Sequence, residues 1–375
     1  MIERVRASRF VREDLRAAAL PWIASRALVV GALLLSRFLF DEIGRAPRPI
    51  QLAQGLFAWD AAFYREIAEH GYAALSAESL RFFPLFPLVS RALGVVFLGH
   101  TDVAVIVVAN LAALVFAALL HRLAVVETGD RALAVRAAWF GLLFPVAASL
   151  VFGYAEALVM TLAVGVFLAL RTKRWAVAGA LGLLAGATRP LGVLLALPAL
   201  IEVLRGWSAI DLRARARRLV AVVGPPIGLG CFLTYSAIEF GDFLEPLSVQ
   251  DHPQLRGGFQ DPFTRVIDAA RDLLDGDRLG SGSPLLWAIL LTGLLVVVAR
   301  RLPASYSWYA GATLVLGFTA KNLGSYERYA MSAFPFVLGI AFLTKRREVE
   351  RTALVVSAAG LVAYSVLAFF GSWVP

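Results

Sequence analysis

Cysteine is almost absent from this chain of 375 residues: Cys231 stands alone, inside an apolar run. That excludes a disulfide framework and any cysteine-based metal centre. Charge is scarce too. Charged residues make up 17% of the sequence, where a soluble domain carries about 25%. Apolar and aromatic types reach 59%, and mean hydropathy is +0.73. Disordered, fibrous and ordinary globular classes are excluded, and an all-α polytopic membrane protein remains. No internal repeat or low-complexity tract is visible, so residues 1–375 read as one integral-membrane domain. The start MIERVRASRFVREDLR is too long and too charged for a signal-peptide leader and lacks a small-residue cleavage site. Residues 17–39 are therefore expected to be a retained helix.

A crossing helix needs about 20 mostly apolar residues. Eleven runs qualify as candidates: 17–39, 101–121, 134–152, 155–170, 174–188, 190–204, 219–239, 284–299, 305–320, 329–344 and 351–371. The segment 83–98 is apolar as well, but it begins FFPLFP and carries Arg91 midway. An arginine at the bilayer centre costs about 2.5–3.5 kcal/mol, which favours an interfacial helix there. The net charge of +9 first suggests nucleic acid, and its distribution argues against that partner. With a cytoplasmic N-terminus and 83–98 interfacial, the inner segments hold 22 Lys and Arg against 9 acids, and the outer segments 13 against 18. Arg26 lies within the first span. Making 83–98 a crossing would move the basic runs at 171–174 and 211–218 outside, against the positive-inside rule. The expected layout is therefore a multi-pass cell-membrane protein with two long outer loops, 40–100 and 240–283. Such loops are where chemistry is expected, because the other loops are short.

The first loop contains FAWDAAFYREIAEHGYAALSAESLRFFPLFP. Tyr64, Ile67, Ala68 and Tyr72 fall on one helical face, so a short helix lying on the outer leaflet is expected, with FFPLFP starting a second. Two readings stand for Asp60: the N-cap of that helix or a functional carboxylate. On composition alone, Trp59 and the tyrosines are aromatic anchors at the membrane interface.

The whole constellation says more. WDxxxYxxIAxxGY followed by FFPLFP resembles the mannosyltransferases that add the second mannose of the glycosylphosphatidylinositol anchor (PIG-V type), together with their bacterial relatives. The matching residues are Trp59, Asp60, Tyr64, Ile67, Ala68, Gly71 and Tyr72, then 82–87. Phe63 stands where the family commonly has His or another polar residue. FGYAEALVM at 152–160 is similar to the family's Tyr-Ser-Glu-Ser segment, with Glu156 in place and Ala155 and Ala157 where serines are common. LAGATRPLGVLLALP at 184–198 and SYERYAMSAFP at 325–335 resemble two further elements, contributing Arg189, Gly192, Arg328, Tyr329 and Pro335.

The resemblance implies a glycosyltransferase of the GT-C class, a bundle of about eleven transmembrane helices with interfacial helices in the first outer loop. It implies a polyprenyl-phosphate-sugar donor, inversion at the anomeric carbon, and a glycan or glycolipid acceptor on the non-cytoplasmic face. Asp60 matches the expected catalytic base. Trp59, Tyr64, Tyr72, Glu156 and Tyr329 are the expected substrate contacts. The expected topology places Arg189, Arg328 and Lys321 at the outer end of the helices, where a donor phosphate would meet them. Arginine suits that role because its planar fork binds phosphate oxygens bidentately.

Each of these has a plainer reading. Arg189 could snorkel to headgroups, Arg328 and Lys321 could anchor the interface, and Glu156 could form a structural ion pair with Arg189. The second outer loop carries Asp242, Glu245, Asp251, His252 and Asp261. Acids beside a histidine suit a divalent ion such as Mn or Zn, yet no fixed ligand spacing is present, so no metal is expected. A lid offering Phe243 and Phe259 is the preferred reading of that loop, with an amphipathic helix over 263–275 on the leaflet surface. The alternatives to a mannosyltransferase are another polyprenyl-linked sugar, or a transporter or lipid flippase. A transporter should show repeated halves and mid-membrane ionisable groups, and the sequence lacks both apart from Arg26.

Overall fold

The computed structural model describes residues 2–43, 47–276 and 282–375, with side chains from residue 11 onward. The side chains of the basic N-terminal segment, and residues 44–46 and 277–281 of the two long loops, lie outside the described residues. The chain opens with α1 (Ile2–Ile43). The first long connection folds into α2 (Ile50–Gln54), α3 (Asp60–His70) and α4 (Leu85–Val96). Then come α5 (Thr101–Thr128), α6 (Arg131–Leu143), α7 (Glu156–Arg171), α8 (Trp175–Gly186), α9 (Ala196–Leu204) and α10 (Leu212–Phe240). The second long connection contains α11 (Glu245–Ser248) and α12 (Pro262–Leu274). The last part is α13 (Gly282–Arg301), α14 (Ala304–Phe318), α15 (Tyr326–Met331), α16 (Pro335–Leu343) and α17 (Arg347–Phe369). Among the described residues there is no strand, only one isolated antiparallel bridge between Phe259 and Ala320.

Five helices are long and apolar enough to cross a membrane: α1 from Val11, α5, α10, α13 and α17. The other six apolar runs form shorter α-helices of 6 to 16 residues, and two of the runs, 134–152 and 329–344, are interrupted by turns. Proline sets two helix starts, at Pro190 and Pro335, where the missing N–H and fixed φ suit the first helical position. Helix α4, at 12 residues, is well short of a crossing, and its Arg91 is exposed.

Small residues set the central packing. Gly179, Gly182 and Gly186 of α8 face Gly224, Pro225 and Gly228 of α10. A Cβ on Gly224 would collide with the Gly179 carbonyl, and one on Gly228 with that of Leu183. In an apolar solvent, association depends on such close packing and not on burial from water. The seam fixes the C-terminal end of α8, from which Thr188 and Arg189 emerge.

Arg26, the charge inside α1, is fully occupied by structure. It donates to Asn110 Oδ1 at 2.8 Å, to the Leu150 carbonyl at 2.8 Å and to Ser25 Oγ at 2.7 Å. Trp22 also donates to the Asn110 carbonyl at 2.8 Å, so α1 is tied to α5 at mid-helix. At the far ends of α5 and α7, Arg171 bridges Glu127 at 2.5 Å and Glu202 at 3.3 Å. Tyr306 donates to Glu127 at 2.9 Å and Ser305 to Glu202 at 2.7 Å. This clamp joins α5, α7, α9 and α14, and the 16 residues of α7, about 24 Å of helix, separate it from Glu156.

Candidate active site

Asp60 is the first residue of α3 and not its N-cap: that position belongs to Trp59, at φ 61° and ψ −130°. A bulky residue with positive φ costs about 1–3 kcal/mol. The Trp59 conformation is held by its indole N–H, which donates to the Ala368 carbonyl at 3.0 Å. Behind Asp60 the chain at Gly153 passes so close that a Cβ there would strike Val105. This brings the next residue, Tyr154, into reach, and the Asp60 backbone N–H donates to its hydroxyl at 3.3 Å.

Four motif residues far apart in sequence meet here. Arg328 Nη1 donates to Asp60 Oδ2 at 2.7 Å and to Glu156 Oε1 at 2.8 Å. Arg189 Nη1 pairs with the same Glu156 oxygen. Both readings of Glu156 thus coincide, since its ion pair with Arg189 is part of the cluster around Asp60. Arg328 and Glu156 are almost fully buried, and Asp60 is the partly open member, with 16% of its side chain exposed. Burial pushes the Asp60 carboxyl upward, but Arg328, Arg81 and Arg189 outweigh it and hold the group below the usual carboxylate range. Burial also raises the Tyr64 phenol, which stays neutral.

Asp60 opens into a cavity of about 360 Å³, shared by Tyr64, Arg81, Arg189, Arg256 and Tyr329. Its apolar wall includes Leu191, Val193, Leu229 and Leu316. The Tyr329 ring has three guanidinium groups within 4.8 to 5.1 Å of its centroid, from Arg328, Arg256 and Arg189. Such rings hold cations through their negative faces and leave the fork of donors free to bind an anion.

The second long loop roofs the cavity through Gln250, Asp251, Arg256, Gly258 and Phe259. Backbone bonds fasten this roof to the 319–322 segment: Gln260 N–H to Thr319 O at 2.8 Å, Lys321 N–H to Gly258 O at 3.2 Å and Asn322 N–H to Arg256 O at 3.0 Å. Gly257 and Gly258, at φ 70° and 83°, make the turn that no β-branched residue would adopt readily. Phe259 lines the cavity and Phe243 does not.

Several expected residues lie elsewhere. Trp59 packs against α17 and is absent from the cavity wall. Tyr72 lies behind an aromatic partition, its hydroxyl donating to the Phe82 carbonyl at 2.5 Å. Lys321 is exposed beyond the roof. Arg328 and Glu156 form the floor below Asp60. Asp242 and Asp261 cap backbone N–H groups, of Leu244 and of Phe263 and Thr264. Among the described residues, the acids of this loop do not gather with His252. The one trio of ligand atoms close together among the described residues is Glu66, Glu69 and His70, with two of its members exposed on α3.

Sequence reasoning missed Tyr154, Arg81 and Arg256. Tyr154 sits in the quoted FGYAEALVM segment and was visible there. Arg81 reaches Asp60 at 3.9 Å and Glu78 at 3.0 Å, and covers the Phe82 ring at 4.6 Å. Arg256 donates to the Gly317 carbonyl at 3.1 Å and has no carboxylate partner among the described residues.

The fold and site thus define a helical membrane protein in which an ionised carboxylate faces a cavity lined by several arginines. The chain belongs to the Mannosyltransferase (PIG-V) family, whose family model matches residues 47–241, from just before α2 to the end of α10. The match includes Asp60, Glu156 and Arg189, while Arg328 lies beyond it. No curated protein sequence matches the chain.

Among solved structures it is similar to the archaeal oligosaccharyltransferase AglB from Archaeoglobus fulgidus, in complex with an inhibitory peptide and a dolichol-phosphate. The identity is 13% and the TM-score 0.44, over 93% of this chain and 56% of that one. The same enzyme in complex with Zn and sulfate aligns at 13% identity and TM-score 0.45, over 92% and 52%. The chain thus spans about half the length of these structures.

Proposed function

We propose that the protein transfers mannose from polyprenyl-phosphate-mannose to a lipid-linked or secreted glycan on the non-cytoplasmic face of the cell membrane. The observation that carries this reading is Asp60, held ionised at the edge of a cavity that three arginines, Arg81, Arg189 and Arg256, also line. Asp60 accepts the proton of the acceptor hydroxyl as its oxygen attacks the anomeric carbon. The bond from that carbon to the phosphate oxygen breaks with its electron pair on phosphate, and attack from the opposite side inverts the centre. The arginines neutralise the leaving phosphate, where preorganised charge is most effective.

One consequence is built into the cluster. Arg328, Arg81 and Arg189 lower the basicity of Asp60, and of these Arg81 and Arg189 line the cavity. A donor phosphate occupying those cations weakens their pull, so the carboxylate becomes a stronger base once the donor is bound. Glu156 and Arg328 position Asp60 and do not touch substrate.

The test is incubation of purified protein with labelled polyprenyl-phosphate-mannose and a membrane-lipid extract. A labelled product formed from that donor, and not from nucleotide-mannose, supports the reading. Transfer from a polyprenyl-linked glucose with equal efficiency would replace the sugar, and no transfer from any polyprenyl donor would reject the reaction.

A further inference from the structure

Behind the cavity that holds Asp60 lies a second one, of about 320 Å³, enclosed by α3, α4 and α10. An aromatic partition separates the two. Tyr64 and Phe82, whose rings lie 5.0 Å apart, face the first cavity. Tyr72 and Phe232, 5.3 Å apart, face the second, and Phe83 packs on Phe232 at 4.7 Å. The volume is that of a small-ligand pocket, which spans about 300–1,000 Å³.

Two features define what fits. The surface around the mouth is apolar and exposed: on α4, Leu88 is 57% exposed and Val95 76%, as residues that face hydrocarbon are. The mouth also holds one cation, Arg91, which is exposed and donates to the Glu69 carbonyl at 2.8 Å. No carboxylate pairs with it among the described residues. An apolar recess with a single unneutralised guanidinium at its lip suits an amphiphile with a hydrocarbon chain and a phosphate head. The donor is already provided for on the other side of the partition. Its phosphate meets Arg189 and Arg256, and its chain has an apolar exit along Leu191, Val193 and Leu316.

We infer that the second cavity binds an anionic glycerophospholipid of the surrounding leaflet, with an acyl chain against Phe232 and Tyr72 and the phosphate on Arg91. The partition that this lipid contacts is the back wall of the Asp60 cavity, so the bound lipid braces the catalytic side from the membrane. The lipid is a resident of the site and not a substrate. The inference goes beyond the transfer reaction and rests on that reading only in assigning the donor to the first cavity.

The single cysteine makes the test direct, because Cys231 is exposed and lines this cavity. The full chain is placed in nanodiscs of phosphatidylcholine with or without phosphatidylglycerol, and the rate of maleimide labelling is measured, with Cys231→Ser as the control for label position. Phosphatidylglycerol should slow labelling several-fold. Arg91→Gln should abolish the difference and Arg91→Lys should retain most of it. Equal labelling in the two lipids, or protection unchanged in Arg91→Gln, would overturn the proposal. So would protection by decaprenyl phosphate at lower concentrations than phosphatidylglycerol, which would assign the cavity to the donor. Asp60→Asn should leave the protection intact, so failure of the transfer reaction and failure of this site are read separately.

Discussion

Arg328 and Asp60 stand 268 positions apart in the chain and 2.7 Å apart at their guanidinium–carboxylate contact. The same Arg328 nitrogen holds Glu156 at 2.8 Å. One cation thus supports two acids that would otherwise repel each other. Arg328→Met leaves both without it, and removal of one partner from a buried pair costs roughly 3–5 kcal/mol. Thermal unfolding in detergent should show a large drop for Arg328→Met and a partial recovery when Glu156→Gln is added. Purely additive losses would show that the pair is not coupled.

The pH dependence follows from the sign of the Asp60 shift. Its folded pKa is held below the usual range by Arg328, Arg81 and Arg189, against the opposing effect of burial. The stabilisation from its ion pair is therefore complete above the unfolded value of about 3.9 and is lost as pH falls through the lower folded value. Neutral and mildly acidic solutions should give the same unfolding temperature from this group. Because the free enzyme keeps its base ionised, the acid limb of kcat/KM should also fall below about pH 4. A limb near pH 6 would point to a different base.

Arg256 offers the cleanest separation of binding from folding. Its side chain makes one backbone hydrogen bond and stacks on Tyr329, so its loss should leave the fold intact. A hydrogen bond to a charged group is worth about 1.5–3 kcal/mol, roughly 10- to 100-fold. Arg256→Ala should lower kcat/KM for the donor by that factor, with an unchanged acceptor KM. Steady-state titration of each substrate checks this.

Two glycines on the same helix should behave in opposite ways. A Cβ on Gly228 collides with the Leu183 carbonyl, whereas Gly230 has nothing within 4 Å. Gly228→Ala should destabilise by about 1–3 kcal/mol through overpacking and displace Arg189 with the end of α8. Gly230→Ala should be neutral or stabilising by up to about 1 kcal/mol. Paired melting curves decide it, and equal effects would remove the α8–α10 seam as the organiser of the site.

These contrasts also indicate which parts of the protein were legible beforehand. Asp60, Glu156, Arg189 and Arg328 each lie in a segment with fixed neighbours, so spacing and resemblance pick them out, and the structure brings them together. Arg81 and Arg256 come from stretches without periodicity, and only the folding of the roof onto 319–322 carries Arg256 to the cavity. Trp59 and Tyr72 belong to the same motif as Asp60 but serve its geometry, one by holding a strained backbone and one by building the partition. Hydropathy located every apolar run. It could not show that 134–152 and 329–344 are cut by turns, because residues at the breaks, such as Phe144 and Val146, are themselves apolar and buried.

The central claim is that Asp60 removes the proton of the acceptor hydroxyl. Transfer from labelled polyprenyl-phosphate-mannose should therefore be measured for the parent protein and Asp60→Asn side by side, with donor binding followed in the same samples. Asparagine keeps the shape and removes the base, so the account predicts a loss of about 10²–10⁴-fold in turnover with donor binding retained. Turnover within a few-fold of the parent would contradict it.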